Sequence, residues 1–476
     1  MASKTRSNSV LFMLVGATII EVLILSCPAV LNEQKRLCYY TLCGNLTIYL
    51  ILWAIFLAKR NFDILEPIIF VTVLYVLLYY VTPLICLLTG DISWFGLDLW
   101  SGCEKGTIYA TVGYLFFLVG YFKRGSFLLL SDNKMEYSEE ENNGRDITLI
   151  QGTNYLILNV IFWLIGFSAS VILILSTGKS IVYIFTLAEG SSTEIASSSE
   201  VLFLGVIAHI MLPSYLYIFT ISKSRVLKIL LFYLMAMTYI IRGFRFILVA
   251  VILAPIVLSY IRKNKSPRIF QIFVVLLVLF IMIGIIGLSR TDIRNGLGFS
   301  KDVFSTLSFD TIKNILINYF SIFKNYYGIV EAFPEKMSFT MGQQIFLYTL
   351  IMLVPRAIWP GKPDPINYQV VATAISDYAR RAGSAPPNLA EFYHEFGFIG
   401  IIVFMFIFGV LCKKLYTKMQ YKDIHSNIMY AAIYPLLLQI VIRGYTPSNF
   451  YLVVVVLIPI WATKRMLRKQ HGNQQI

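Results

Sequence analysis

Glu391, His394 and Glu395 form the densest cluster of groups that could move a proton, and they directly precede an apolar run that begins near Phe396. Glu391 and Glu395 are four residues apart, so a helix would present both on one face. Two carboxylates held close together bind a proton more readily than one alone, which suits a general base. His394 is a second candidate, although a single histidine at such a place is more often a simple hydrogen-bond partner.

Arginine side chains recur where apolar runs end, and two of these places also contain glycine. The arginines lie in Arg242-Gly243-Phe244-Arg245, at Arg290, at Arg356 and in Arg443-Gly444-Tyr445. A guanidinium group can bind two phosphate oxygens at once, and glycine lets the backbone turn tightly. The alternative is that these arginines only extend from helix ends toward water. Because arginine is costly inside a membrane, the pattern favours an anion-binding site.

The sequence lacks the usual signatures of metal chemistry. No Asp-x-Asp pair occurs, and the six cysteines show no metal-ligand spacing. Glycosyltransferases that bind nucleotide sugars through a divalent metal usually need such a pair, so this class is disfavoured. We therefore expect neither a metal nor a cofactor. Cys38 and Cys103 could meet on the outer face of a membrane, but isolated packing cysteines fit the pattern better.

The composition predicts an integral membrane protein. Of 476 residues, 57% are hydrophobic and 14% are charged, and the mean hydropathy is +0.71; soluble domains carry about 25% charged residues. The net charge of +14 comes mainly from short loops between apolar runs, which is the positive-inside pattern. We therefore expect a lipid bilayer, and no nucleic acid, as a partner.

The apolar runs predict an all-α polytopic fold with about twelve transmembrane helices. Basic loops alternate between them so that both termini are cytoplasmic. The predicted spans are 10–31, 38–58, 66–89, 106–122, 154–176, 201–221, 226–241, 244–260, 269–288, 396–412, 428–442 and 448–463.

The spans divide the chain into five parts. One of them is a large extracytoplasmic loop that carries the candidate residues; within it we expect an amphipathic surface helix over Ile312–Val330 and a re-entrant helix over Gln343–Ile358. The parts are 1–122 with four helices, the cytoplasmic linker 123–153, 154–288 with helices five to nine, the loop 289–395, and 396–476 with three helices and a basic tail.

Two stretches carry a resemblance to a known family. Pro355-Arg-Ala-Ile-Trp-Pro-Gly-Lys-Pro363 and Leu389-Ala-Glu-Phe-Tyr-His-Glu-Phe-Gly397 resemble the Wzy-type O-antigen polymerases of bacteria, the oligosaccharide repeat-unit polymerases. The Arg-Gly turns at Arg242 and Arg443 are similar to short arginine motifs of that family. The matching motifs cover about 60 residues of the second half of the chain.

The resemblance implies a glycosyltransferase in the bacterial inner membrane that acts on its outer face. Such enzymes move a glycan from undecaprenyl pyrophosphate to a sugar hydroxyl of another lipid-linked repeat unit, with inversion and without a metal. A chain-length regulator protein would be a further partner. An O-antigen ligase and a lipid-linked oligosaccharide flippase remain alternative functions.

This reaction would assign a role to each candidate residue. Glu391 is the expected base, with His394 and Glu395 as alternatives. Pyrophosphate becomes a good leaving group once cations hold its charge, and aromatic rings either stack on sugars or only line the membrane interface. The expected substrate-binding residues are Arg242, Arg245, Arg290, Arg356, Lys362, Arg443, Tyr445, Trp359 and Tyr393.

Overall fold

A computed structural model describes the parts of the chain on which the following rests. These are residues 16–24, 27, 31–59, 63–88, 99–123, 153–176, 178, 180–181, 184, 202–242, 245–268, 271, 274, 322–354, 358–363, 370–371, 373–374, 386–419 and 423–474. Within these ranges every regular element is a helix, which confirms the all-α class.

We number the main helices of the described ranges in chain order. They are α1 (Glu33–Lys59), α2 (Pro67–Leu88), α3 (Trp100–Phe122), α4 (Thr153–Ser176), α5 (Phe203–Ile221), α6 (Arg225–Arg242), α7 (Arg245–Arg262), α8 (Phe323–Ala332), α9 (Gln343–Tyr348 and Thr349–Ile351), α10 (Asn388–Met419), α11 (Ile424–Ile442) and α12 (Thr446–Gln474).

Seven of these helices, α1, α2, α4, α5, α10, α11 and α12, are long and apolar enough to cross a membrane. They coincide with seven of the predicted spans. The predicted spans 106–122, 226–241 and 244–260 fall on α3, α6 and α7, which are helical but do not meet the same measure of length and hydropathy. Half of 10–31 and most of 269–288 lie outside the described residues. The number of twelve spans and the cytoplasmic termini stay predictions.

The predicted loop is only partly described. Helix α8 does not lie at the surface: nearly all its side chains are buried, including Lys324 and Asn325. The expectation of a surface helix is therefore wrong for this part of the segment. A short helix, α9, forms within Gln343–Ile358 as expected, and its re-entrant position stays a prediction. Residues 124–152 of the predicted linker and residues 289–321 of the predicted loop lie outside the described residues, and the five-part division stays a prediction.

The core of the bundle is the contact between α3 and α10. A methyl group added to Gly120 would lie 2.1 Å from the carbonyl oxygen of Phe406, and one added to Gly409 would lie 2.1 Å from that of Phe117. Each helix thus places a glycine against the backbone of the other. Small residues allow such close packing where the surrounding lipid offers no hydrophobic drive. This contact fixes α10, which carries the candidate base.

Hydroxyl groups of tyrosine and threonine connect this core to its neighbours. The Tyr75 hydroxyl of α2 bonds to the Asn388 amide at the start of α10, and the Tyr326 hydroxyl of α8 donates to the Gly106 carbonyl of α3. Burial raises the pKa of the Tyr326 phenol well above its usual range, so this group stays a neutral donor. Buried polar groups need such partners, and here the partners come from different helices.

Helix α10 is broken at Phe396 and Gly397, where the backbone leaves helical geometry. The break leaves the carbonyl groups of His394 and Glu395 without partners in their own helix. The backbone N–H of Thr340 donates to the first at 3.0 Å, and that of Met341 donates to the second at 2.9 Å. The residues just before α9 therefore cap the C-terminal end of the first segment of α10, which runs from Asn388 to Glu395.

Replacing Gly397 with alanine should destabilise the protein. Gly397 has φ 62° and ψ −148°, a region open almost only to glycine, and a residue strained in this way costs about 1–3 kcal/mol. An added methyl group would also lie 2.9 Å from the Phe339 ring. We expect a lower melting temperature for the detergent-solubilised variant.

Gly44→Ala is the matched control, because an added methyl group there has nothing within 4 Å and alanine is favourable inside a helix. It should melt at or above the wild-type temperature. Equal melting temperatures for Gly397→Ala and wild type would contradict a break at this position.

Candidate active site

The first segment of α10 holds Glu391, His394 and Glu395, and each of the three side chains has 0% of its surface exposed. A buried carboxylate is costly unless hydrogen bonds compensate for lost water. The partners of these side chains therefore decide what the cluster can do.

Glu391 binds the N-terminus of α12. The backbone N–H of Thr446 donates to both carboxylate oxygens at 2.9 and 3.0 Å, and the Thr446 hydroxyl donates to Oε2 at 2.6 Å. Thr446 is the first residue of α12. A negative charge at a helix N-terminus satisfies free N–H groups and interacts favourably with the helix dipole.

Glu395 does the same for a second helix. Its Oε1 accepts a hydrogen bond from the backbone N–H of Gln344 at 3.0 Å, and Gln344 is in the first turn of α9. The two glutamates are four residues apart, and each holds the N-terminus of a different helix. Their spacing therefore serves to hold α9 and α12 beside α10.

His394 has a different environment. Its Nδ1 lies 3.3 Å from the Thr340 hydroxyl and 3.6 Å from Glu395 Oε1. Its Nε2 is buried and has no hydrogen-bond partner among the described residues. One ring nitrogen thus faces a hydroxyl and a carboxylate, and the other has no donor facing it among the described residues.

The turn from Arg443 to Tyr445 packs directly on the start of α10. The Gly444 N–H donates to the Pro386 carbonyl at 3.0 Å, and a methyl group added to Gly444 would lie 2.3 Å from the Asn388 Cα atom. Only glycine allows this approach. The Asn449 amide donates to the Arg443 carbonyl at 2.8 Å and so stabilises the other side of the turn.

The Arg443 turn contacts the start of α7, directly after the second predicted arginine turn. The Arg443 guanidinium lies over the ring of Phe246, 5.6 Å from its centre, and Phe246 follows Arg245 at the start of α7. Arg242, at the end of α6, donates to the Gly205 carbonyl at 3.3 Å. The start of α7 and the turn 443–445 are therefore neighbours, although about 200 residues separate them in sequence.

Lys362 and Tyr445 both lie near the ring of Tyr348. The Lys362 ammonium donates to the carbonyls of Met352 at 2.6 Å and Val354 at 3.1 Å, and it lies 5.6 Å from the Tyr348 ring. The ring of Tyr445 is 6.4 Å from that of Tyr348. Lys362 thus binds free carbonyls just after α9, and its binding of an anionic substrate stays a prediction.

The remaining predicted substrate-binding residues differ in exposure, and some of them are not described. Trp359 is exposed, at 42%, whereas Tyr393 is buried and stacks on Tyr109 at 5.6 Å. Arg290, Arg356 and the side chain of Arg245 lie outside the described residues. Within the described ranges no group of histidine, cysteine or acidic side chains could hold a metal ion.

Thr446 and Gln344 are the residues of this site that sequence reasoning missed. Thr446 precedes Pro447, and a threonine followed by proline is a common start of a helix. That signal predicts a helix N-terminus, whose free N–H groups need a hydrogen-bond acceptor. No comparable signal marks Gln344.

Comparison with known proteins gives one match. A family model described as O-antigen polysaccharide polymerase Wzy matches residues 8–471, so the chain belongs to this family. No curated protein and no solved structure matches the chain. The family and the apolar helices make it a multi-pass membrane protein of O-antigen polysaccharide biosynthesis that acts on a lipid-linked oligosaccharide.

Replacing Thr446 with valine should weaken the contact between α10 and α12. The change removes the hydroxyl donor to Glu391 and keeps the backbone N–H. An intramolecular hydrogen bond contributes about 0.5–1.5 kcal/mol, so we expect a lower melting temperature in detergent.

Thr417→Val is the control for this experiment, because the Thr417 hydroxyl donates only to the Lys413 carbonyl on an exposed helix face. It should change the melting temperature little. If the two variants melt alike, the Glu391–Thr446 contact does not stabilise the fold.

Proposed function

We propose that this member of the O-antigen polysaccharide polymerase Wzy family joins repeat units carried on undecaprenyl pyrophosphate. The glycan of one lipid-linked unit moves to a sugar hydroxyl of another, and undecaprenyl pyrophosphate leaves. The reaction takes place on the outer face of the bacterial cytoplasmic membrane. It inverts the anomeric centre and needs neither a metal nor a nucleotide.

The observation that carries this proposal is the contact of Arg443 with Phe246, directly after the second arginine turn. Pyrophosphate leaves readily only if its negative charge is stabilised as the glycosidic bond breaks. Guanidinium groups suit this role because they bind phosphate oxygens in pairs and keep their charge. Arg242 and Arg245 belong to the neighbouring turn. Arg290, Arg356 and Lys362 complete the proposed cationic set.

The proton of the acceptor hydroxyl goes to His394 in this proposal. Both oxygens of Glu391 already accept hydrogen bonds from Thr446, and Glu395 accepts one from Gln344. These glutamates therefore act as positioning residues that hold α12 and α9. His394 has an oriented Nδ1 and an Nε2 without a partner among the described residues. Because the His394 ring is buried, the residues that cover it must move before the acceptor hydroxyl can reach Nε2.

Trp359 and Tyr445 are the proposed contacts for sugar rings. Trp359 is exposed and close in sequence to Lys362, and Tyr445 follows the arginine turn directly. Tyr393 packs against Tyr109 and supports the first segment of α10.

Replacing Arg443 with alanine should abolish polymer growth while the protein stays in the membrane. Loss of one group that stabilises developing negative charge lowers the rate about 100- to 1,000-fold. Cells should then display core carrying a single repeat unit, and the ladder of longer glycans should be absent from a gel.

Arg225→Ala is the matched control, since Arg225 is exposed at the start of α6 and on the predicted cytoplasmic side. It should give a full ladder. A full ladder from Arg443→Ala would overturn the anion site. Repeat units trapped inside the cell would favour a flippase, and long polymer that never reaches the core would favour a ligase.

The role of His394 can be separated from that of Glu391 by comparing His394→Gln with Glu391→Gln. Glutamine at 394 cannot accept a proton, so this variant should stop at one repeat unit even when the folded protein is abundant. Glutamine at 391 still offers an oxygen to the Thr446 N–H, so this variant should make polymer with reduced thermal stability.

The measurement is the glycan ladder divided by the amount of folded protein in the membrane. If Glu391→Gln accumulates to the wild-type level and yet adds only one repeat unit, Glu391 is the base and the assignment to His394 falls.

A further inference from the structure

The sulfur atoms of Cys38 and Cys103 lie against each other between α1 and α3, 2.6 Å apart. The two side chains are almost fully buried, with 1% and 0% of their surfaces exposed. Cys38 is near the start of α1 and Cys103 is in the first turn of α3. The two sulfur atoms are thus already close to each other without a bond between them.

Both cysteines lie at the same end of the bundle. The opposite end of α1 carries Lys59 and Arg60, and the opposite end of α3 is followed by Lys123 and Arg124. Basic residues mark the cytoplasmic side of a membrane protein. Lys35, Arg36 and Lys105 lie at the cysteine end, but the alternation of basic loops along the whole chain still predicts that this end is extracytoplasmic. Disulfide bonds persist on that side of the membrane.

We propose that Cys38 and Cys103 form a disulfide bond that fastens α1 to α3 on the extracytoplasmic side. The oxidant is the disulfide of an oxidised thiol-exchange protein. One cysteine attacks it as a thiolate and forms a mixed disulfide. The other then attacks that bond, and the exchange protein leaves as a dithiol. The exchange protein takes up the two electrons and two protons given up by the cysteine thiols.

The surroundings fit a structural bond. Near this pair, Lys35 of α1 lies over the ring of Trp100 of α3, 4.7 Å from its centre, which adds a second contact between the same helix ends. On the other side, the Thr107 hydroxyl of α3 lies 3.2 Å from the hydroxyl of Tyr327 in the buried helix α8. The bond would thus tie the first described span to the helix that packs against α10.

The number of free thiols in the full-length protein tests the proposal. The chain has six cysteines. Membranes are prepared with a thiol-blocking reagent, the protein is purified and denatured in the presence of the same reagent, and the blocked thiols are counted by mass. Four of the six cysteines should be blocked before reduction. Reduction should then release two further thiols, which react with a second thiol-blocking reagent of different mass.

Two variants make the result specific. Cys38→Ser should show five blocked thiols and no further thiol after reduction, because Cys103 has lost its partner. Cys43→Ser, which changes a buried cysteine of the same helix, should still release two thiols on reduction. Six blocked thiols in the wild type, or release of two thiols from Cys38→Ser, would overturn the proposal. Neither result depends on polymerase activity.

Discussion

The carboxylate of Glu391 lies against the first N–H group of α12, and the geometry around the candidate site depends on this contact. It joins α10 to α12 at the point where the Arg443 turn enters α12. The same turn packs on Asn388 through Gly444 and reaches Phe246 of α7. Because an uncompensated buried carboxylate is costly, the contact also commits α12 to one position. The role proposed for Arg443 gains from such rigidity, since a guanidinium that stabilises charge must be oriented before that charge develops.

The sequence predicts the helix that carries Glu391 and Glu395, but not the residues that bind their side chains. The spacing of Glu391 and Glu395 correctly predicts a shared helix face, because that depends on helical geometry alone. Thr446 is 55 residues from Glu391, and Gln344 is 51 residues from Glu395. Contacts at such separations are set by tertiary packing, which a single sequence does not encode locally. The same limit explains why the sequence alone does not predict the contact between Cys38 and Cys103.

The helices show the same difference between what local sequence predicts and what tertiary packing decides. Long apolar runs such as the one in α4 are predictable, because the thickness of the bilayer fixes their length. Helix α8 is not, because its mixture of polar and aromatic residues looks like that of a helix at a water interface. In the structure its polar groups face a protein core rich in hydroxyl groups, as the bond from Tyr326 to Gly106 illustrates. An amphipathic composition shows that a helix has a polar and an apolar environment. It does not show whether the polar environment is water or other parts of the protein.

The position of Lys413 in α10 has a consequence for how a substrate arrives. The second segment of α10, from the break at Gly397 to Lys413, is about 24 Å long at 1.5 Å per residue, which is close to the thickness of the hydrocarbon layer of a membrane. If Lys413 marks one surface, the break and the cluster from Glu391 to Glu395 that precedes it lie near the other. In the function proposed above, a lipid-linked glycan at this depth would present its phosphates to the arginine turns while its lipid tail stays among the acyl chains. Substrate could enter and spent carrier could leave by lateral diffusion, so turnover would need no extraction of the tail into water.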